Sequence, residues 1–375
     1  MNQTYDLAIV GAGIAGLAHA LAAAKLGKRV VVIDRDAQAN GASIRNFGFI
    51  TVTGQERGEC WNRAMRSRDV WADVAPRAGI EIEHRGLVVA VRRPVAKAVL
   101  EAFLQTEMGE GCQLLSGPEA AARVPALKAN ELSGALWSPH EIRVESRDAI
   151  PKLAVWLEHA HGVTFMRQTL VKSVAPPFIE TSRGRVEAGA AIVCPGDDFL
   201  GLFPERIAAF KLTRCKLHML RVAPATTAQL GAAVMSDLGL VRYLGYAALP
   251  EAARLKRQLE ADEAPALANG VHLIVVQSAD GSLVVGDSHH YSATPDPFAP
   301  DSVDEIILKE FDSVLNLPGR KVTERWTGTD ASADDRLMLV DAPDATVRIV
   351  IITSGTGAST SFAIAEEVIA ELFPR

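Results

Sequence analysis

Apolar and polar positions fall into blocks along the first forty residues. Asp6–Val10 is a short apolar run, Ile14–Leu26 is rich in Ala and Leu, and Arg29–Ile33 is a second run of β-branched residues. The pattern predicts strand, turn, helix and strand, with Gly27 ending the helix. From Leu7 to Ala24 there is no Asp, Glu, Lys or Arg, a run long enough to be mistaken for a membrane span. Three glycines interrupt it, and MNQTYD before it lacks the positive charge of a signal peptide. The reading is therefore a buried strand, a tight turn and a buried helix, with no membrane span.

Further along, Leu87–Val91, Leu217–Val222, Val271–Gln277 and Leu283–Gly286 read as strands suited to a mixed or antiparallel sheet. Ser146–His161 has helical periodicity behind a Ser able to cap it. Asp304–Leu315 reads as an amphipathic scaffold helix, and the Pro- and Asp-rich stretch Ser292–Ser302 as loop. No repeat or long linker breaks the chain.

Composition narrows the function classes. With 375 residues, 48% hydrophobic and 22% charged, the chain can build one large domain or two ordinary ones. A net charge of −6 gives no global field for nucleic acid or anionic lipid, so an anionic substrate needs a local cluster. Cys60, Cys112, Cys194 and Cys215 form no CxxC pair, which fits free thiols in a reducing cytoplasm.

Gly11, Gly13 and Gly16 make GxGxxG at the first strand-to-helix junction, with Ile14 and Ala15 inside it. The first glycine permits the turn, the second lets a pyrophosphate approach the backbone, and the third lets helix and strand pack closely. Helix-terminal N–H groups favour phosphate there. Asp34 follows Gly11 by 23 residues, where an acid can bond a ribose hydroxyl, with Arg35 beside it. This predicts a dinucleotide site. The motif does not separate NAD from FAD; the acid argues only against NADP.

Three segments carry a family resemblance. After the second strand comes GASIRNFG (Gly41–Gly48), GAAIVCPG spans Gly189–Gly196, and IVIITSGTGASTSFAIAEEVIAEL spans Ile349–Leu372. Together they resemble the D-amino-acid oxidase, glycine oxidase and sarcosine oxidase branch of FAD-dependent oxidoreductases. The resemblance implies an α/β fold: a glutathione-reductase-type (Rossmann-like) FAD-binding domain from residues 1–80, 141–205 and 330–375. A second α+β substrate domain on a mixed or antiparallel sheet would come from 81–140 and 206–329. It implies non-covalent FAD, with Ser43 and Arg45 facing phosphate or ribityl oxygens and Asn46 meeting a polar flavin edge. Phe47, Gly48, Val171, Pro195 and Gly196 would lie along the cofactor. Gly355, Thr356, Gly357, Ala358 and Ser359 would bring the last helix to the flavin, its positive end stabilising charge on the reduced ring.

Chemistry on such a flavin is C–N oxidation of a small amine, needing neither nucleophile nor metal. Electrons would pass to O2 or another acceptor. Substrate-side candidates are Lys216 in RCKLHMLR, Arg242, Tyr243 and Tyr246 in RYLGY, and His289, His290 and Tyr291 in GDSHHY. If Arg242–Tyr243 and His289–His290 lie on strands, at most one of each pair enters the cavity. In RWTGTDASADDRLML, Asp330 stands where the family's carboxylate-binding arginine is expected, which turns the expectation from an α-amino acid towards an ammonium at that point. The combined motifs resemble the clade associated with phosphonate catabolism, implying an aminophosphonate such as 2-aminoethylphosphonate or an N-alkyl derivative; Phe49, Thr51 and Val52 depart from it. Two other expectations stay open: oxidation of an N-methyl or D-amino acid, and a non-catalytic FAD-binding protein.

Overall fold

A computed structural model describes residues 4–226 and 228–374. Its first sheet grows from the opening strand, Thr4–Val10, which pairs in parallel with Val30–Ile33 on one side and Gly184–Val193 on the other. Val347–Ile352 extends the parallel set beyond Gly184–Val193, and Thr164–Met166 extends it beyond Val30–Ile33. Parallel strands covered on both faces should be apolar throughout. Leu7, Ala8, Ile9 and all of Val30–Ile33 are accordingly buried. The Ile14–Lys25 and Gly357–Leu372 helices share one core with this sheet and with the Glu59–Arg77 helix, where Trp71 meets Phe362 edge-on at 5.2 Å. The α/β nucleotide fold expected from the sequence is thus present.

The second sheet is mixed. Ile82–Val91 pairs antiparallel with Gly134–Val144 and parallel with Ala233–Ser236; Thr213–Ala223 lies antiparallel to Leu283–Gly286 and to Lys321–Ser332. Phe49–Ile50, just after the GASIRNFG loop, joins this sheet through Gly134–Val144. The Asp301–Val314 helix lays Val303, Ile307, Phe311 and Val314 against the second core.

The Ser146–His161 helix has the expected bounds, but Ser146 does not cap it. Glu145 occupies that position without a side-chain cap. The Ser146 hydroxyl instead donates to Asn46 Oδ1 at 3.1 Å, so a tertiary partner outbids the local helix end. No described helix is long and apolar enough to cross a membrane.

Candidate active site

A cavity of about 1100 Å³ opens between the two sheets, lined from both. That exceeds the roughly 300–1,000 Å³ of ordinary small-ligand pockets and leaves room for a cofactor and a substrate together.

One end is built from glycine turns. Gly11 has φ +103°, and a Cβ there would sit 2.4 Å from the Cys194 carbonyl oxygen; on Gly16 it would overlap the Gly11 carbonyl, and on Gly13 it would lie 3.0 Å from Ser43 Oγ. Both the Ile14–Lys25 and the Gly357–Leu372 helices start at this cavity with no acidic residue in the first turn. The N–H groups and dipoles at these helix starts favour negative charge. Asp34 lines the same end and is aimed by two backbone N–H donors, Ala12 to Oδ2 at 2.6 Å and Asp36 to Oδ1 at 2.8 Å. Ser43 Oγ accepts from the Ile14 N–H at 2.9 Å. Arg35, Arg45, Phe47, Val171, Pro195, Gly196, Gly355, Thr356, Gly357, Ala358 and Ser359 also line the cavity.

Two loop residues have duties other than those expected. Gly48 does not line the cavity: it has φ +65°, and a Cβ there would strike the Val144 carbonyl. Asn46 does line it, but its amide is taken up by the chain: Nδ2 donates to Ala42 O at 2.7 Å, and Oδ1 accepts from Gly48 N at 2.8 Å and from Ser146. Asn46 therefore shapes the loop. The Arg45 carbonyl accepts from the Trp326 indole at 3.0 Å, tying the loop to the second sheet.

The other end is made of side chains. Asp330 lies beside the last glycine turn, since a Cβ on Gly355 would be 3.1 Å from its Oδ2. Its Oδ1 is enclosed with no hydrogen-bond partner, and burial, reinforced by Asp197, pushes the carboxyl up to about 7. Arg242 and Tyr243 both face the cavity. The chain there forms a helical turn, Asp237–Val241, followed by Leu244–Ala247, so the opposed faces of a strand do not apply. The Arg242 guanidinium donates to Tyr291 Oη at 3.1 Å and makes no ion pair with a carboxylate among the described residues. Of the histidine pair, His289 lines the cavity and His290 does not.

Lys216 lies outside the cavity, contrary to expectation. Its neighbours Cys215 and Leu217 face inwards, so strand alternation turns Lys216 away. Its ammonium donates to Asp296 Oδ1 at 3.0 Å and the Phe298 carbonyl at 2.8 Å. Tyr246 is also outside, fully buried against Phe103.

Two cavity residues escaped the sequence reading. Asp287 and His272 join His289 in a compact group: His272 Nδ1 is 3.3 Å from Asp287 Oδ1, and His289 Nε2 is 3.8 Å from Asp287 Oδ2. Asp287 sits inside GDSHHY, and His272 interrupts the apolar run Val271–Gln277. A polar residue breaking an apolar strand is the signal that marked it.

The profile of the FAD dependent oxidoreductase family matches residues 6–372. The chain belongs to this family. FAD is its cofactor, and the glycine cradle, the two helix starts and Asp34 fit that group. A curated glycine oxidase from Geobacillus kaustophilus (strain HTA426) is 27% identical over 210 residues, covering 52% of this chain and 55% of that protein. The chain thus spans about half the length of the curated relative it matches. Among solved structures, L-proline dehydrogenase from P. horikoshii superposes with a TM-score of 0.78 at 18% identity, over 99% of this chain and 93% of that one. Glycine oxidase from Bacillus cereus ATCC 14579 gives 0.77 at 16% identity, over 98% and 95%. Both share this fold.

Proposed function

We propose that the protein oxidises the C–N bond of a small amine bearing an anionic group to an imine, which water then hydrolyses. The observation that supports this most directly is the pairing, in one cavity, of a buried acid beside the last glycine turn with an arginine that has no carboxylate partner among the described residues. FAD, when bound, supplies a two-electron acceptor for the hydrogen on the carbon next to nitrogen. Residues of the glycine end, Asp34 and the start of the last helix would hold it, non-covalently. Cys194 and Cys215 line the cavity as inert thiols, Cys194 pushed up to about 12 by burial and Cys215 likewise pushed up by burial.

Asp330, as a carboxylate, would receive the substrate ammonium and take up its proton, freeing the nitrogen lone pair. Arg242 would hold the anion through charge-assisted hydrogen bonds. An aminophosphonate such as 2-aminoethylphosphonate, or its N-alkyl derivative, suits this arrangement. A second reading, an N-methyl or D-amino acid with its carboxylate on Arg242, draws support from the glycine oxidase similarity. Within the same proposal, 1–80, 141–205 and 330–375 serve the cofactor and the remainder the substrate, and the four free cysteines support a cytoplasmic setting.

Anaerobic bleaching of the flavin decides between the readings. 2-Aminoethylphosphonate or its N-methyl derivative should bleach the colour faster than sarcosine, glycine or D-alanine; bleaching by the carboxylates alone removes the phosphonate assignment. Peroxide formed in stoichiometry with product would identify O2 as the acceptor.

A further inference from the structure

The Asp287 group is held by its backbone, which pairs with that of His272, while its side chains are left incompletely satisfied. Asp287 is 5% exposed and His272 3%; Asp287 Oδ1 and His272 Nδ1 lie 3.3 Å apart without forming a hydrogen bond, and neither has another partner among the described residues. Buried polar atoms are rarely left unpaired, because each such orphan has given up its hydration without replacement. Both residues line the cavity, so a ligand can complete them. His289 Nδ1 lies 3.0 Å from the Gly270 carbonyl, which assigns its proton to Nδ1 and leaves Nε2 as an acceptor towards Asp287. Tyr243 stands edge-on to His272 at 5.3 Å, and the His272 and His289 rings are 4.9 Å apart.

We infer that Asp287, flanked by His272 and His289, holds a proton and with Arg242 forms the subsite for the substrate's anionic end, donating a hydrogen bond while protonated and repelling the anion once ionised. This rests on the reading that the substrate carries an anion remote from its amine. The carboxyl is pushed up to about 8, first by burial and further by Asp330, against the opposing pull of Arg242. Burial and the Arg242 charge keep His272 and His289 neutral, with their pKa values well below the ordinary histidine range. The other titratable groups near Asp287 are Asp330, Cys215, Tyr243 and Tyr291. Asp330 is largely ionised by pH 8, and burial raises the other three above their ordinary values. Above pH 8 the loss of one proton from Asp287 thus changes the subsite from net positive to neutral.

The same three residues place ligand atoms within 4.8 Å of one another, as a divalent cation would need. The adjacent Arg242 charge disfavours that occupant.

The test uses FAD-loaded protein and ethyl phosphate, a phosphate monoester whose second ionisation near pH 6 is complete throughout the range. Calorimetric titration from pH 8 to 9.5 should show affinity falling about tenfold per pH unit, the signature of one proton. Calorimetry of the wild type at pH 9 in buffers of different ionisation enthalpy should show close to one proton taken up. Asp287→Asn should flatten the pH dependence. An unchanged slope in D287N, no proton uptake, or binding of neither ethyl phosphate nor propionate overturns the inference. So does stoichiometric zinc binding by equilibrium dialysis that D287N abolishes. Propionate run in parallel separates the two claims: tighter propionate binding with the same slope would end the phosphonate reading and leave the proton-holding acid in place.

Discussion

The two ends of the cavity recognise their ligands by different means. At the cofactor end the work is done by backbone: Gly11, Gly13 and Gly16 sit where a Cβ would crowd its neighbours, helix N–H groups supply donors, and Asp34 is already aimed by two N–H groups. At the substrate end the donors and acceptors are side chains, and Asp330, Asp287 and His272 each leave a buried atom unpaired. A backbone site is satisfied by its own fold and fails when a methyl group is added. A side-chain site carries uncompensated desolvation until a ligand arrives, and fails when a charge changes. The first should be indifferent to pH near neutrality and the second governed by it.

The strongest break in this contrast is Gly11→Ala. A Cβ 2.4 Å from a carbonyl, at φ +103°, combines overlap with backbone strain of about 1–3 kcal/mol. FAD affinity should fall at least about 100-fold, read by flavin fluorescence quenching with circular dichroism confirming the fold; a variant that keeps its colour through gel filtration would refute the cradle. Next is Arg242→Met, which removes charge-assisted hydrogen bonds of roughly 1.5–3 kcal/mol. KM for the anionic amine should rise roughly 10- to 100-fold with kcat nearly unchanged, and steady-state kinetics giving the reverse split would place Arg242 in the chemical step. Asp330→Asn should cost about tenfold in kcat/KM at pH 8. In the wild type the carboxylate form grows as pH rises through about 7, so kcat/KM should climb through that range before the loss of the Asp287 proton above about 8 lowers it again; D330N lacks the first titrating group and should lose the ascending limb alone. The smallest effect is expected for Lys216→Met, within about twofold of wild type, because its ammonium already has Asp296 and the Phe298 carbonyl as partners.

What the sequence disclosed follows the same division. Glycine spacing is legible because only glycine tolerates Gly11's backbone angle and Gly16's close approach. Asp330 was legible because it follows a recognisable segment. Lys216 misled because strand parity does not say which face meets the cavity; Cys215 and Leu217 took that face. Arg242 and Tyr243 both enter because a helical turn replaces the strand that would have separated them. Gly48 and Asn46 lie in the right loop, yet their constraints come from Val144 and Ser146, about a hundred residues away. Asp287 and His272 were missed because their meaning arises only when two neighbouring strands and a helical turn converge.

The last helix is pinned by its start to remote parts of the chain: Thr51 N–H donates to Ser359 Oγ at 2.9 Å, the Trp71 indole to the Ala358 carbonyl at 2.8 Å, and Ala363 N–H to Ser67 Oγ at 3.1 Å. The chamber is thus stitched from segments 287 to 308 residues apart in the chain. Domains generally fold in order of synthesis, but here a nascent chain lacks one wall until the Gly357–Leu372 helix has emerged. The cavity that receives the cofactor is therefore complete only when the Gly357–Leu372 helix has docked on the first sheet.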